Sequence, residues 1–163
     1  NKVGLSVVKS KTNIYSNVKI NGILLALDSI NDPGNFGTII RNADWFGVKN
    51  IICSKNTVDL YNPKTIQSSM GSFTRVNVFY ENLSSIFENS PLKIYGTSSK
   101  IKESLNPRSI KEGIILFGSE SNGIRDNLKK HVDGWLSVDG NGGAESLNVS
   151  VSSGIILDKI MND

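Results

Sequence analysis

Asn141–Ser153 (NGGAESLNVSVSS) decides the fold of this chain when it is read beside two earlier segments, Asn31–Arg41 (NDPGNFGTIIR) and Leu116–Ile124 (LFGSESNGI). Each of the three places a glycine turn and a few polar groups just past a hydrophobic run that is typical of a strand. Ligands of parallel α/β sheets bind in loops beyond the carboxyl ends of the strands. We therefore expect the functional site in these three segments.

Hydrophobic runs and helix-like segments alternate along the chain. The runs that predict strands are Ile23–Leu27, Ile51–Cys53, Val76–Tyr80, Leu92–Tyr95, Ile114–Phe117 and Trp135–Val138. The segments that predict helices are Gly37–Phe46, Pro63–Phe73, Leu83–Glu88, Arg125–Val132 and Ser146–Met161. Most runs do not alternate with polar residues, as expected of strands covered on both faces. The order predicts an α/β fold, a parallel sheet flanked by helices and joined by right-handed crossovers.

The composition describes one ordinary globular domain, which we expect to span residues 1–163. The chain begins with Asn1 rather than Met, which suggests that an amino-terminal segment is absent. A total of 18 basic and 15 acidic residues gives a net charge of +3, which permits an anionic partner without requiring one. No apolar run approaches membrane-spanning length, so we predict no membrane partner.

Rare residue types narrow the possible chemistry. Cys53 is the only cysteine and follows two isoleucines, so we expect a buried strand residue, no internal disulfide and a reducing, cytoplasmic compartment. His131 is the only histidine, so we predict no histidine-based metal site. The chain has no GxxxxGK[ST] motif and no GxGxxG after a strand, which removes the main support for ATP and NAD sites.

The first segment predicts a cation that points away from the core. Turn formers precede the helix Gly37–Phe46, in which Ile39, Ile40, Ala43 and Phe46 share one face at 100° per residue. Arg41 projects nearly opposite that face. Its side chain either serves a functional site or pairs with Asp44 three residues on, which is worth only a few tenths of a kcal/mol.

The other two segments place polar groups next to buried elements. Gly118 would let a ligand approach the backbone, and Glu120 either takes part in a site or caps the helix that begins near Arg125. The helix from Ser146 carries hardly any charge, so we expect it to be buried nearly all round. Ser146 would then be a site residue or an N-cap, and a buried Asn148 would line a site or tie down a loop.

In order and spacing the three segments resemble the signature motifs of the SpoU/TrmH family, the 2′-O-ribose RNA methyltransferases of the SPOUT class. The resemblance implies a deep trefoil knot near the carboxyl terminus and a homodimer whose active site lies close to the interface. It also implies S-adenosylmethionine as the cofactor, no metal, and a ribose 2′-hydroxyl of tRNA or rRNA as the acceptor.

The family's site residues carry over to the positions that match its motifs. The resemblance gives as catalytic candidates Arg41, Asn35, Glu120, Ser146 and Asn148. It gives as cofactor-binding candidates Thr97, Phe117, Gly118, Val138 and Leu147. One departure stands out, because Val138-Asp139-Gly140 replaces the usual Ile-Pro-Met and removes one wall of the family's adenine pocket.

Two questions stay open at the level of sequence. Arg41 is either the group that removes the hydroxyl proton, helped by the nucleotide's phosphate, or a cation that positions the phosphate and stabilises the alkoxide. Scattered cations, among them Lys100, Lys102 and Arg125, either grip RNA phosphates or form a solvated surface.

Two other classes of protein compete with the enzyme. One is a catalytically degenerate RNA-binding or ribosome-assembly protein of the same fold. The change to Val138-Asp139-Gly140 favours it, and the retained catalytic candidates disfavour it. The other is an α/β enzyme that uses a different nucleotide, for which the chain has no motif.

Overall fold

A computed structural model describes residues 22–101 and 103–162 of the chain. The strands are β1 (Ile23–Asp28), β2 (Asn50–Ser54), β3 (Asn77–Glu81), β4 (Ile94–Thr97), β5 (Gly113–Gly118) and β6 (Gly134–Leu136). The α-helices are α1 (Pro33–Trp45), α2 (Pro63–Ser69), α3 (Leu83–Glu88), α4 (Asp126–Lys129) and α5 (Val149–Met161). The amino-terminal part of the expected 1–163 domain and Lys102, a candidate phosphate contact, lie outside the described residues.

All strand pairs are parallel, and the spatial order of the sheet is β3-β2-β1-β5-β4-β6. The predicted α/β fold with a parallel sheet is therefore confirmed. From β1 the chain builds one half of the sheet outward to β3, and β5, β4 and β6 form the other half. The order thus reverses between β1 and β5, which opens a crevice at the carboxyl ends of these two strands.

Helices cover both faces of the sheet because successive side chains of a strand point to opposite sides. Leu25 and Leu27 of β1 join the core cluster that contains residues of α1 and α5. Leu24 and Ala26 join the opposite cluster, which contains residues of α3 and α4. All four β1 side chains are fully buried. Burial on both faces explains why the strand reads as a continuous apolar run.

Three helices differ in their ends from the sequence-based expectation. Helix α1 begins at Pro33 rather than Gly37, because Asp32 caps it, and Asn35 therefore lies in its first turn. Helix α2 ends at Ser69, because Met70 (φ 49°) and Gly71 (φ 86°) adopt left-handed conformations, and Phe73 falls in a separate 3₁₀ turn. Helix α4 is a single turn, from Asp126 to Lys129. None of the helices in the described part of the chain has the length and apolar character that a membrane-spanning segment requires.

The expectation for the last helix was wrong in two respects. Helix α5 begins at Val149 rather than Ser146, because the Asn148 side chain accepts from the Ser150 backbone N–H and caps the helix. The helix is also not buried nearly all round, since Val151 is 50% exposed. Low charge indicated burial, but one side of α5 presents uncharged residues to the surface.

Gly37 lets α1 and α2 approach closely. A Cβ at this position would lie 1.9 Å from Ser68 Oγ and 2.5 Å from the Thr65 carbonyl oxygen. Only hydrogen fits there, and the contact helps to fix the direction of α1 beyond the carboxyl end of β1.

Gly37→Ala should therefore destabilise the fold, although alanine is the better helix former by about 1 kcal/mol. We expect a net loss of about 1–2 kcal/mol in the free energy of unfolding, because the backbone of α2 must move to admit the methyl group. Urea unfolding followed by circular dichroism measures it. Gly140→Ala is the matched control, since a Cβ there meets nothing within 4 Å. Equal stability of the two variants would contradict the close packing.

Candidate active site

Four polar side chains meet in one hydrogen-bonded cluster at the crevice between β1 and β5. The Asn35 amide nitrogen donates to a carboxylate oxygen of Glu120. The Asn35 amide oxygen accepts from Asn148 Nδ2 at 3.0 Å and lies 3.4 Å from Ser150 Oγ. Ser150 Oγ also donates to Asn148 Oδ1 at 2.7 Å. Asn35 thus connects the three sequence segments and orients the side chains of Glu120 and Asn148.

Helix caps place two of these side chains. Asp32 caps α1 by accepting from the Asn35 backbone N–H at 2.8 Å, and Pro33 fits the first turn because its missing N–H is not needed there. Asn148 caps α5, with its Oδ1 on the Ser150 N–H at 2.9 Å. The amino-terminal ends of α1 and α5 therefore lie side by side, and their capping turns carry the cluster.

The structure excludes the capping alternatives for Glu120 and Ser146 and the predicted burial of Asn148. Glu120 does not cap α4, because its carboxylate is the acceptor for Asn35 and α4 begins without a side-chain cap. Ser146 is exposed in the loop before α5 and is not its N-cap. Asn148 is exposed rather than buried, and its amide contacts Asn35.

Ser150 is a cluster residue that the sequence analysis missed. It is 8% exposed and lies two residues after the cap Asn148. The signal was present in the string Ser-Leu-Asn-Val-Ser, whose second serine falls within the first turn if the helix starts after the asparagine. A helix that started at Ser146 would instead place the first serine of the string, Ser146, at the helix start.

Arg41 lies on the exposed side of α1, as its position in the helix predicts. Ile39, Ile40 and Ala43 are fully buried, and Phe46 packs partly buried against the same core. Within the described residues no ion pair or hydrogen bond engages Arg41, and none connects it to the cluster around Asn35. Six residues of helix separate Arg41 from Asn35, about 9 Å along the axis.

The alternative pairing of Arg41 with Asp44 does not occur. Asp44 Oδ2 instead accepts from Arg75 Nε at 2.9 Å and from Arg75 Nη2 at 2.7 Å. This hydrogen-bonded pair lowers the pKa of the Asp44 carboxyl from its ordinary value. Because Arg75 occupies Asp44, the guanidinium of Arg41 keeps its charge available for a ligand.

An ion pair between a buried carboxylate and a partly exposed arginine anchors the segment that carries Glu120. Asp28, at the end of β1, is fully buried, and its carboxylate accepts from Arg125 Nε at 2.7 Å and from the Arg125 backbone N–H at 2.9 Å. Upstream, Ser119 and Gly123 exchange backbone hydrogen bonds of 2.9 and 3.2 Å. The segment from Ser119 to Arg125 is therefore tied down at both ends, and Glu120 starts from a defined position.

Gly118 serves this turn rather than an open ligand space. A Cβ at Gly118 would lie 2.2 Å from the Gly123 carbonyl carbon and 2.3 Å from the Ile124 nitrogen. The missing side chain of Gly118 therefore makes room for the protein's own backbone, and the approach of a ligand to Gly118 stays a prediction. Its peptide groups remain candidates for contact with a ligand.

The cofactor-binding candidates lie together at the carboxyl ends of β4, β5 and β6 and at the start of α5. Thr97 ends β4, and its hydroxyl donates to the Leu116 carbonyl at 3.0 Å. Phe117 is 1% exposed as a whole residue, so it lies in the core, and the half-buried Gly118 after it is the nearer candidate for contact with a ligand. Val138 packs partly buried against the core, and Leu147 is 48% exposed.

The rare residues lie outside this site. Cys53 is buried in β2, as predicted, and burial raises the pKa of its thiol well above the ordinary value, which leaves it a poor nucleophile. His131 is mostly buried, edge-on to Phe87. Within residues 22–101 and 103–162, no three His, Cys, Asp or Glu side chains converge in a way that could hold a metal ion.

Comparison with known proteins gives consistent matches. The model of the SpoU rRNA Methylase family matches residues 22–158. The 23S rRNA (guanosine(2553)-2′-O)-methyltransferase RlmP of Bacillus subtilis (strain 168) is 34% identical over 138 residues, covering 82% of this chain and 56% of the relative. The 23S rRNA (guanosine-2′-O-)-methyltransferase RlmB of Blochmanniella floridana is 34% identical over 158 residues, covering 94% and 60%.

A solved structure matches over the same region. The AdoMet-bound rRNA methyltransferase from Sinorhizobium meliloti superposes with a TM-score of 0.77 at 29% identity, covering 85% of this chain and 55% of that protein. The chain therefore spans a little more than half the length of these relatives.

Arg125→Ala should destabilise the protein by about 1–3 kcal/mol, because it leaves the carboxylate of Asp28 buried with fewer partners. Asp28→Asn/Arg125→Ala should lose less than the two single variants together, since the double variant has no buried charge to compensate. Urea unfolding of the four proteins gives the coupling. Simple additivity would mean that the pair contributes nothing specific.

Proposed function

Because this chain belongs to the SpoU rRNA methylase family, we propose that it transfers the methyl group of S-adenosylmethionine to a ribose 2′-hydroxyl of tRNA or rRNA. One observation carries the proposal. Glu120 and Asn148 follow Asn35 by 85 and 113 residues in sequence, and the three side chains meet in one cluster at the switch point of the sheet. The two named relatives methylate the 2′-oxygen of guanosine in 23S rRNA. We propose that residues 1–163 act as a single methyltransferase domain in the cytoplasm, a location that suits an activity on tRNA or rRNA.

S-adenosylmethionine fits the half of the edge formed by β4, β5 and β6. The backbone at Gly118, next to the buried Phe117, would offer hydrogen bonds, and Val138 and Leu147 would offer apolar surface to an adenine ring. Leu147, 48% exposed, is an apolar side chain without full cover, which suits a ligand face. When bound, the cofactor supplies a methyl group already activated by a sulfonium charge. In place of the family's Pro and Met, Leu147 would provide apolar cover.

The cluster is suited to hold a ribose. Asn35 fixes one oxygen of the Glu120 carboxylate, and the exposed carboxylate can accept a further hydrogen bond from a sugar hydroxyl. Asn148 and Ser150 are oriented by the same network. Holding the acceptor oxygen in line with the methyl group is the main task, because the donor is already reactive. Ser146, exposed two residues before Asn148, would contact the nucleotide from the loop.

We assign Arg41 an electrostatic role. A guanidinium is a poor base and a good partner for phosphate, and no carboxylate of the described residues is paired with Arg41 in competition with such a ligand. The cation would bind the phosphate beside the target ribose and stabilise the oxygen as its proton leaves, with the phosphate accepting the proton.

A homodimer would bring Arg41 to the cluster that its own helix does not let it reach. Trp45, one turn after Arg41 on the same side of α1, is 83% exposed, and Val151 on the neighbouring α5 is 50% exposed. Large apolar side chains on adjacent helices favour an interface. Burying this surface against a second copy would place each Arg41 near a subunit boundary.

The contacts of the segment before β5 support the proposed trefoil knot. Leu105 N–H donates to the Trp135 carbonyl at 2.8 Å, and Ser137 N–H donates to Ser104 Oγ at 2.9 Å, so this segment runs along the outer side of β6. Ile110, further along it, shares the core with α5. The connection between β4 and β5 would then form a loop. The chain that leaves β6 would pass through this loop to reach α5, which would make the knot.

The competing function is a degenerate RNA-binding protein that keeps the fold. The intact cluster argues against it, because loss of activity removes the reason to keep four polar side chains aligned. Calorimetry with S-adenosylmethionine separates the two, since a degenerate protein should bind neither the cofactor nor its demethylated product.

Arg41→Ala should reduce methyl transfer about 100-fold or more while the cofactor affinity and the melting temperature stay near wild type, because the side chain is exposed and touches neither core nor cluster. Arg41→Lys should also be impaired, since an ammonium lacks the planar fork. Transfer of tritiated methyl groups into total RNA that lacks the modification measures both. Lys49→Ala is the control, because Lys49 is an exposed cation before the amino-terminal end of β2, away from the carboxyl ends of the strands. Near-normal turnover of a folded Arg41→Ala variant would refute the assignment.

The product should be a 2′-O-methylated nucleoside rather than a methylated base, because the cluster offers hydrogen bonds to a sugar and Cys53 is a buried, poor nucleophile. Alkaline hydrolysis tests this directly, since backbone cleavage needs a free 2′-hydroxyl and the modified linkage should resist it. Nucleoside mass spectrometry that finds the methyl group on a base would overturn the ribose assignment.

A further inference from the structure

We propose that a polar cleft beyond β2 and β3 is a second RNA subsite, which binds a nucleotide neighbouring the one that is methylated. This inference rests on the proposed function, because it extends the same substrate along the sheet edge. The cleft has a volume of about 270 Å³ and its lining includes Ser54, Lys55, Glu81, Asn82, Arg125 and Asn127. That size is near the lower end of the roughly 300–1,000 Å³ found for small-molecule sites, which suits one nucleotide.

The position of the cleft follows from the order of the sheet. Ser54 ends β2 and Glu81 ends β3, so the cleft lies at the same edge as the cluster around Asn35. The cofactor candidates occupy the β5-β4-β6 half of that edge, the cluster lies at the β1/β5 switch point, and the cleft lies on the β2-β3 half. An RNA strand whose ribose meets the cluster can extend along the β2-β3 half of the edge, which leads into the cleft.

The side chains of the cleft match the groups of a nucleotide. Lys55 is exposed, and no ion pair engages it within the described residues, so its ammonium is available to a phosphate. Asn82 uses Oδ1 to cap α3, with the Ser84 N–H at 3.1 Å, and its amide nitrogen stays available. Asn127 makes only a 3.5 Å contact with Ser84 Oγ. Amides and the Glu81 carboxylate can pair with the edges of an unstacked base.

Arg125 connects the cleft to the active-site cluster. Its side chain lines the cleft and pairs with the buried Asp28, while Glu120 lies five residues earlier on the same anchored segment. A nucleotide in the cleft would therefore contact the segment that positions Glu120. RNA that fills the subsite would help to place the neighbouring ribose at the cluster. A single nucleoside could not do so, because it would occupy only one of the two sites.

Lys55→Ala and Lys49→Ala form a matched pair for the test, because Lys49 precedes β2 and Lys55 follows it, and both are exposed. The probe is a fluorescein-labelled, single-stranded RNA pool of about 12 nucleotides, titrated by anisotropy at several salt concentrations. For Lys55→Ala we expect weaker binding, about fivefold in Kd, and a salt slope smaller by about 0.7, the value for one lost single-strand phosphate contact. Lys49→Ala should match wild type, and S-adenosylmethionine should bind both variants equally.

Cross-linking locates the RNA independently of affinity. The same pool carrying 4-thiouridine should cross-link to peptides containing residues 54–56 or 125–128 of the wild-type protein. Equal losses in both variants would indicate diffuse attraction and overturn the subsite, as would cross-links confined to other surfaces. RNA that is methylated normally without using the cleft overturns the subsite alone. RNA that binds in the cleft but is never methylated overturns the proposed function instead.

Discussion

The parallel pairing of β1 with β5 is the constraint on which the site depends. Its register sets Asp28 opposite Gly118, so the chain leaves both strands at the same level of the sheet. One exit leads through Asp32 into α1 and Asn35, and the other leads to Glu120. Both strands are central and buried on both faces, so the register cannot slip without exposing a full set of apolar side chains. The register of two central, buried strands therefore sets the geometry of the cluster.

Polar groups near this crevice are satisfied by specific partners rather than by solvent. Asp28 is fully buried and has its Arg125 partner, Asn42 donates to the Ser150 carbonyl at 2.8 Å, and Thr97 donates to the Leu116 carbonyl. A buried acceptor or donor without a partner costs about 1–3 kcal/mol, so these contacts restrict the loops to few conformations. Rigid loops are what a reaction that depends on alignment needs, because misplacing the acceptor oxygen costs more than weak binding does.

The exposed side of the α1–α5 pair has a different character from the crevice. Trp45 and Val151 leave apolar area in solvent close to Arg41, which has no partner among the described residues. A lone surface tryptophan needs no explanation, but a tryptophan one turn from a free cation on a helix that also carries Asn35 suggests shared use of that surface. Helix α1 would then contact the target ribose through Asn35 in its first turn. Further along the same helix, Arg41 would contact the phosphate, and the surface beside it would contact the second copy.

The sequence by itself determined the strands, their parallel arrangement and the outward direction of Arg41, because these follow from apolar runs and from the 3.6-residue period. Glycine turns after parallel strands also indicated that the three segments converge at one edge of the sheet, and the resemblance to the family's motifs singled out Asn35, Glu120 and Asn148 within them. Only the tertiary structure decided that Arg75 takes Asp44, that Gly118 makes room for the Gly123 backbone, and that Ser150 belongs to the cluster. The cleft beyond β2 and β3 likewise has no signature in sequence. Each of these depends on contacts between residues that are distant in the chain, and local periodicity carries no information about such contacts.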